Sequence, residues 1–160
     1  MKKYFIYTFG CQQNISDSER IKSILKDMNY ESTPQIEEAD LIIINSCSIR
    51  QSAIDRLRGF ALKIEKRRKE NSKIKSVLTG CLLEKDRKKL KKYFDFILPI
   101  KTLPQWPQIL KKESSYPFFS QRDKDFVKES GIKYFNVKPE RDNLFSALIP
   151  ISSGCNNFCT

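Results

Sequence analysis

The sequence predicts an α/β fold, in which a parallel sheet carries helices on both of its faces. Short β-branched or aromatic runs alternate along the chain with longer stretches whose apolar residues recur at helical spacing. The run LIII at residues 41–44 has no polar interruption, which is typical of a parallel strand buried on both faces. Hydrophobic residues make up 39% of the 160 residues, so the chain can bury a sizeable core.

The β-branched and aromatic runs predict four strands in the first domain. They cover residues 3–8, 40–45, 74–79 and 94–98. A turn that contains a cysteine follows each of the first three strands, and a helical stretch follows each turn. This alternation of strand and helix is the reason for expecting parallel strands.

Three helices connect these strands. The first is expected to begin at Ser16, because SDSE has the form of a capping box that Glu19 closes. Its apolar face consists of Ile21, Ile24, Leu25 and Met28. The second helix covers about residues 50–69 and turns four residues inward, which are Ala53, Leu57, Ala61 and Ile64. A basic third helix covers residues 84–92.

The chain is long enough for one domain and the start of another. The first domain is predicted over residues 1–112, with a short closing helix in LPQWPQILKK in which Trp106 packs inward. Residues 113–143 are predicted as a linker. Residues 144–160 are expected to open a second domain, whose first strand is the apolar run LFSALIPIS at 144–152.

The predicted linker contains one possible strand, and several aromatic residues lie in or near it. The sequence KYFNV at residues 133–137 is compatible with a strand. Four aromatic residues in this part of the chain are expected to pack across the domain junction: Phe118, Phe119, Tyr134 and Phe135.

Three isolated cysteines share one position relative to the predicted strands. Cys11, Cys47 and Cys81 each follow a strand by one or two residues, at separations of 36 and 34 residues, which correspond to one strand–helix unit each. Because the carboxyl ends of parallel strands share the edge at which open α/β sheets bind ligands, we expect the three thiols to converge there. Gly10 and Gly80 precede two of the cysteines and allow tight turns with close backbone approach.

The available residue types limit the chemistry. The chain has no histidine, which excludes Cys/His zinc patterns and nucleophiles paired with histidine. Five cysteines, without a signal peptide or an apolar run long enough to cross a membrane, indicate metal binding or redox chemistry in the cytoplasm. Three converging thiolates are one short of a structural zinc site but suit a [4Fe–4S] cluster with one open iron.

The net charge of +11 is concentrated in one part of the chain. Residues 63–92 carry thirteen positive and four negative side chains, a surplus of nine, whereas residues 1–62 carry eight of each. Such a patch is typical of a surface that binds a polyanion such as RNA, although a solvated helix in a lysine-rich protein has the same composition. The candidate nucleic-acid-binding residues are Lys66, Arg67, Arg68, Lys88 and Lys89.

Four segments of the chain are distinctive. TFGCQQNISDSE, INSCSIRQSA and LTGC resemble, in order, the three cysteine segments of the N-terminal domain in the radical S-adenosylmethionine methylthiotransferase family. SGCNNFCT, which follows the last predicted strand, resembles the first two-thirds of the Cys-x-x-x-Cys-x-x-Cys motif that begins the radical domain of that family. The resemblance covers nearly the whole chain.

The resemblance implies a transferase that inserts sulfur and a methyl group into an unreactive C–H bond, using two [4Fe–4S] clusters and S-adenosylmethionine. Cys11, Cys47 and Cys81 would ligate the auxiliary cluster, which holds or supplies the sulfur. Cys155 and Cys159 would be two of the three ligands of the radical cluster, whose open iron binds S-adenosylmethionine. The third ligand would lie three residues beyond Cys159, so the chain resembles a fragment that is inactive alone but can still hold the auxiliary cluster.

Within the family, FGCQQN and GCNNFCT look most like the tRNA adenosine methylthiotransferases, which convert isopentenyladenosine beside the anticodon to its 2-methylthio form. The implied partners are tRNA, a sulfur donor and an electron donor. The chain is expected to be a cytoplasmic monomer with no membrane association. The branches that modify a ribosomal protein or threonylcarbamoyladenosine are the alternatives.

Two function classes compete with this interpretation. The first is a basic α/β module that binds RNA without a metal, in which the cysteines are packing residues. The second is a thiol redox protein, which the absence of a Cys-x-x-Cys pair disfavours.

Polar residues near the cysteines allow more than one role. Asn14, Asn45, Ser48 and Arg50 lie in the cysteine turns, where they either orient a cluster or substrate, or cap helices and form turns. The acidic pairs Asp17/Glu19 and Glu37/Glu38 are interpreted as helix-start and surface charges rather than as acid–base machinery.

Overall fold

A computed structural model describes residues 1–47, 51–111, 133–141, 143 and 145–151, with only the backbone of Gln51. Its strands are β1 (Lys2–Phe9), β2 (Tyr30–Ser32), β3 (Leu41–Cys47), β4 (Lys75–Cys81) and β5 (Phe96–Ile97). Its α-helices are α1 (Gln12–Asp27), α2 (Gln51–Glu70), α3 (Glu84–Leu90) and α4 (Trp106–Lys111). Short 3₁₀ helices cover Ile36–Glu38, Lys91–Tyr93 and Ile100–Gln105.

The five strands form one parallel sheet in the order β2-β1-β3-β4-β5. The central strand β3 is buried along its whole length, as its unbroken apolar run predicts. The predicted parallel α/β architecture is therefore confirmed. The short edge strand β2 was not predicted, because its sequence YES carries neither alternation nor an apolar run.

The sheet has a hydrophobic cluster on each face, so the predicted helices on both faces are also confirmed. Ile42 and Ile44 pack toward α2 and α3, in a cluster that includes Leu57 and Ile64. The alternate residues of β3 belong to the second cluster, with Ile21 and Leu25 of α1 and with α4. Trp106 is fully buried there, which confirms its predicted packing role.

Helix α1 begins earlier than its capping pattern predicts. Cys11 is its N-cap residue, and the side-chain oxygen of Asn14 accepts a hydrogen bond from the Cys11 backbone N–H at 3.1 Å. The expected start at Ser16 is therefore wrong, because an amide side chain caps the helix one turn upstream. The residues of the expected capping box, from Ser16 to Glu19, are buried within the helix instead.

The described residues after position 132 also differ from expectation. Residues 133–137, expected as a strand, begin with a helical turn. Residues 145–151 form no strand, and Phe145 and Ile151 are 98% and 95% exposed, so the predicted buried strand is wrong over this range. An apolar run becomes a strand only where a neighbouring strand pairs with its backbone, and no described strand pairs with it. Phe118, Phe119, Leu144 and Ser152 lie outside the described residues.

Among the helices of the described ranges, none combines the length and the apolar character needed to cross a membrane.

Candidate metal centre

Three cysteines lie at the carboxyl edge of three adjacent strands. Cys47 and Cys81 are the last residues of β3 and β4 and are paired in the parallel register, so their backbones are about 4.8 Å apart. Cys11 lies two residues beyond β1, at the N-cap of α1. The sequence predicted this shared edge correctly, although Cys47 and Cys81 end their strands rather than follow them. None of the three forms a disulfide.

The Cys81 thiol is affected electrostatically by its neighbours at this edge. Partial burial raises the pKa of the Cys81 thiol, and the nearby Cys47, Asp17 and Cys11 raise this pKa further. Each of these neighbours disfavours a second negative charge at the site. Three thiolates at this edge would therefore need a cationic partner, and a metal deprotonates the thiols that bind it.

The donor set, three thiols in a chain without histidine, is of the type that iron–sulfur clusters use. Within the described ranges, no three Cys, Asp or Glu side chains lie close enough to hold one metal ion together. A [4Fe–4S] cluster binds each thiolate at a different iron, so its ligands surround a larger group and do not converge on one point. Three separated thiols at one edge are compatible with that arrangement, and their role as ligands stays a prediction.

Gly80 brings Cys81 into place next to β3. Its φ of +104° lies in the region that favours glycine, and a Cβ at this position would collide with the backbone carbonyl of Ser46 and the side chain of Asn45. The predicted close backbone approach before Cys81 is confirmed. At Gly10 a Cβ would meet the side chain of Asn14, which caps α1.

A buried amide pair joins the Cys11 turn to the strand that ends at Cys47. The Asn14 side-chain amide donates to Asn45 Oδ1 at 3.0 Å, and the Asn45 amide donates to the Asn14 carbonyl at 2.8 Å and to Ser18 Oγ at 2.9 Å. Ser18 in turn hydrogen-bonds Thr8 on β1 at 2.7 Å. Two alternative roles were expected for Asn14 and Asn45: orienting a cluster or substrate, or capping helices and forming turns. The structure shows the second role. Ser48 and Arg50 lie outside the described residues.

Asp17 and Glu19 are buried, at 1% and 6% exposure, so their interpretation as surface charges is wrong. Asp17 accepts hydrogen bonds from the Tyr134 hydroxyl and from the Gln13 amide. Burial raises the pKa of the Asp17 carboxyl despite these donors and Arg20. No pattern in the sequence indicated this burial, because a polar run such as SDSER within a helix is ordinarily exposed. Glu37 and Glu38 are exposed, as expected.

The five basic residues expected at a nucleic-acid surface divide into two groups. Arg67 pairs with Glu70 and donates to the Glu37 carbonyl, and Arg68 pairs with Asp95 at 2.6 Å, so both arginines hold the fold together. Lys66 and Lys89 are exposed, and Lys88 makes an exposed pair with Glu84 one helical turn away. Lys89 also lines an open groove with five other residues, which are Arg58, Leu62, Leu90, Lys92 and Tyr93.

Comparison with known proteins places this arrangement in a family. The family model described as "Uncharacterized protein family UPF0004" matches residues 3–98, a range that contains Cys11, Cys47 and Cys81. The chain belongs to this family. The UPF0004 match covers β2 to β5 and all of β1 except its first residue.

Curated relatives carry the UPF0004-matching region within longer chains. A protein of Dictyoglomus thermophilum is 34% identical over the whole of this chain and 36% of its own length. Proteins of Aquifex aeolicus and Carboxydothermus hydrogenoformans are 34% and 33% identical over 99% of this chain and 37% of their own lengths. All three are named tRNA-2-methylthio-N(6)-dimethylallyladenosine synthase. The chain thus spans little more than a third of the length of these relatives, whose names agree with the family resemblance found in the sequence.

Proposed function

We propose that this chain is the N-terminal part of a tRNA methylthiotransferase that adds a methylthio group to C2 of N6-dimethylallyladenosine, which is the isopentenyladenosine expected from the sequence. The observation that supports it most is the placement of Cys11, Cys47 and Cys81 at one sheet edge. The names of the relatives, which match along almost the whole chain, support the choice of substrate.

In this proposal Cys11, Cys47 and Cys81 hold an auxiliary [4Fe–4S] cluster, which when bound is the source of the transferred sulfur. The fold of this chain sets the positions of the three cysteines. The register of β3 and β4 sets the spacing of Cys47 and Cys81, and the capped start of α1 orients Cys11. Gly80 lets the backbone approach this edge closely.

Cys155 and Cys159 are proposed as ligands of a second [4Fe–4S] cluster that binds S-adenosylmethionine. Both lie outside the described residues and beyond the range of the family match. Their support is the Cys-x-x-x-Cys spacing and the extent of the relatives' similarity, which covers 99–100% of this chain. The proposed division of the chain is residues 1–112 for the auxiliary cluster, 113–143 as linker and 144–160 as the start of the radical domain.

The proposed partners are tRNA, a sulfur donor and an electron donor, in a monomeric cytoplasmic enzyme. Exposed cations such as Lys66, Lys88 and Lys89 are the proposed RNA contacts of this part of the protein, because Arg67 and Arg68 are occupied within the fold. The branches that act on a ribosomal protein or on threonylcarbamoyladenosine are separated from this one by assaying the three substrates with the full-length enzyme.

The test is iron and acid-labile sulfide per chain after anaerobic reconstitution. The variants are a Cys11/Cys47/Cys81→Ala triple and a Cys155/Cys159→Ala double. We expect about four irons in the double variant and the loss of these irons in the triple variant. The double variant is the matched control, since it also removes thiols but leaves the sheet edge intact. Absence of iron from both the wild type and the double variant would leave a basic α/β RNA-binding module as the better account.

A further inference from the structure

A groove lies between α2 and the residues that follow β4. Helix α2 contributes one wall, and α3 with the 3₁₀ turn Lys91–Tyr93 contributes the other. The groove has a volume of about 530 Å³, which is within the range of pockets that bind small molecules, so it has room for a nucleotide-sized group. Its six lining residues are Arg58, Leu62, Lys89, Leu90, Lys92 and Tyr93.

Three of the six lining residues are cations, and none is acidic. Residues 84–93, which form α3 and the 3₁₀ turn, carry six basic and two acidic side chains. Of these acids, Glu84 is paired within α3 and Asp86 is buried. Asp55 pairs with Arg58 at 3.7 Å, but the two side chains are 59% and 62% exposed, and an exposed pair of this kind contributes little. The groove therefore has a surplus of positive charge, which favours an anionic occupant.

The floor of the groove is apolar and belongs to the core. Leu90 is buried in the hydrophobic cluster beneath α2, and Tyr93 packs against that cluster. The Lys92 ammonium lies 4.8 Å from the centre of the Tyr93 ring, a cation–π distance that holds this cation at the groove. On the facing wall Leu62 is 63% exposed. An occupant that carries both negative charge and apolar surface would match these features together.

Single-stranded RNA combines the two properties. Each nucleotide carries a negatively charged phosphate, and an unpaired base presents flat faces that pack against protein side chains. In a duplex the faces of the bases are covered by their neighbours, so the apolar part of the groove would add little to binding. The composition of the groove therefore favours an unpaired segment over a double-stranded one.

The groove is separate from the cysteine edge. Helix α2 begins four residues after Cys47, and Arg58 lies seven residues further, about 10 Å along the helix axis. The groove thus lies along a face of the sheet, away from the edge where the strands end. An RNA segment held there would be a part of the substrate at a distance from the reacting base.

We propose that the groove between α2 and α3 binds a single-stranded segment of RNA. Arg58, Lys89 and Lys92 would contact its phosphates. Leu62 would contact a base or a ribose. That the polyanion is RNA rests on the proposed function, and the groove adds to the exposed cations proposed there a defined site with a preference for unpaired RNA.

The test is binding to the reduced, iron-free chain, measured by fluorescence anisotropy at several salt concentrations. The probes are a short labelled single-stranded RNA, the same RNA as a duplex, and an acidic peptide of the same net charge. The Lys89→Ala/Lys92→Ala variant removes two groove cations, and Leu62→Ala removes the apolar contact. The matched control is Lys69→Ala/Lys85→Ala, which removes the same charge from exposed positions of α2 and α3 that do not line the groove.

We expect Lys89→Ala/Lys92→Ala to bind single-stranded RNA about tenfold more weakly at low salt. The slope of log K against log salt should fall in magnitude by about 1.4, since two phosphate contacts are lost at about 0.7 each. Leu62→Ala should weaken binding of the single strand several-fold without changing this slope, and should leave duplex binding unchanged. The control should stay within about twofold of the wild type, because charges outside the groove act only through screened attraction.

Four outcomes would overturn the proposal. One is a wild type that does not bind the single strand, and another is an equal loss of binding in the control and the groove variants, which would indicate diffuse surface charge. A duplex that binds as tightly as the single strand would contradict the preference for unpaired RNA. Tighter binding of the acidic peptide would assign the groove to a protein partner. Because this assay uses no iron and the reconstitution uses no RNA, either can fail without affecting the result of the other.

Discussion

Gly80 has a backbone conformation that other residues rarely adopt, next to a proposed ligand. We expect Gly80→Ala to lower the free energy of unfolding by about 2–3 kcal/mol, because the positive φ is strained and the new methyl group would collide with the Ser46 backbone. Urea unfolding measures the change. Gly59→Ala is the matched control, because Gly59 lies in α2 with open space around it, and we expect that variant to be about 0.5–1 kcal/mol more stable. Equal stability of Gly80→Ala and wild type would contradict the argument.

The buried carboxyl of Asp17 makes stability depend on pH. Its pKa in the folded chain is raised by burial above the ordinary value of 3.8, so the folded state binds the proton more tightly than the unfolded state does. The contribution of Asp17 to stability is therefore most favourable below pH 3.8 and is lost as the pH rises through the folded pKa. Asp17→Asn lacks this titration.

We therefore expect the wild type to gain stability relative to Asp17→Asn as the pH falls from 7 toward 4. Urea midpoints of both proteins across this range, without iron, measure the difference. A difference that is constant with pH, or that favours the wild type increasingly as the pH rises, would show that the hydrogen bonds from Tyr134 and Gln13 outweigh burial.

At the scale of elements, helix α2 is fastened to the sheet by a charged cluster. Arg68 donates to Ser76 Oγ at 2.7 Å and pairs with Asp95, which also accepts from the Ser76 backbone N–H at 2.7 Å. This cluster joins α2 to β4 and to the residue before β5. We expect Arg68→Ala to lower the free energy of unfolding by about 1–3 kcal/mol, since charged hydrogen bonds are lost and a carboxylate loses its partner.

Lys66 on the same helix is the control for this change. It is exposed, and we expect Lys66→Ala to leave the free energy of unfolding within about 0.5 kcal/mol of the wild type. Both folded variants are then assayed for binding of single-stranded RNA at low salt by fluorescence anisotropy. We expect Lys66→Ala to bind the RNA more weakly than Arg68→Ala does. If Arg68→Ala had normal stability but lost RNA binding, the result would show that Arg68 contacts the RNA.

Elements differed in how well the sequence predicted them. Strand β3 and helix α2 were predictable because burial on one or both faces leaves a clear apolar pattern, as at Ile42 and Leu57. The start of α1 was not, because the cap uses Asn14 and Cys11 in place of the SDSE pattern. The helical turn near Tyr134 was missed because its conformation depends on packing against Asp17, a contact between residues 117 positions apart.

For the molecule as a whole, the sequence predicted the position of the three cysteines better than it predicted the packing of the helix beside them. Parallel strands bring their carboxyl ends to one edge whatever the details of packing, so the cysteine positions sufficed to predict a shared edge. The buried polar layer of α1 could not be predicted, because polar residues within a helix are ordinarily exposed. Part of it packs against the sheet, where Ser18 hydrogen-bonds Thr8 and Asn45, and part meets Tyr134, Glu140 and Leu148, contacts that no local pattern indicates.

We propose above that Cys11, Cys47 and Cys81 together hold one [4Fe–4S] cluster. The most direct test is the Mössbauer spectrum of the Cys155/Cys159→Ala variant after anaerobic reconstitution with ⁵⁷Fe. We expect the spectrum of one [4Fe–4S] cluster per chain, in which one iron differs from the rest because it lacks a cysteine ligand, and loss of this spectrum when any one of the three cysteines is also changed to alanine. A spectrum of mononuclear iron, or a cluster that persists without one of these cysteines, would contradict the account.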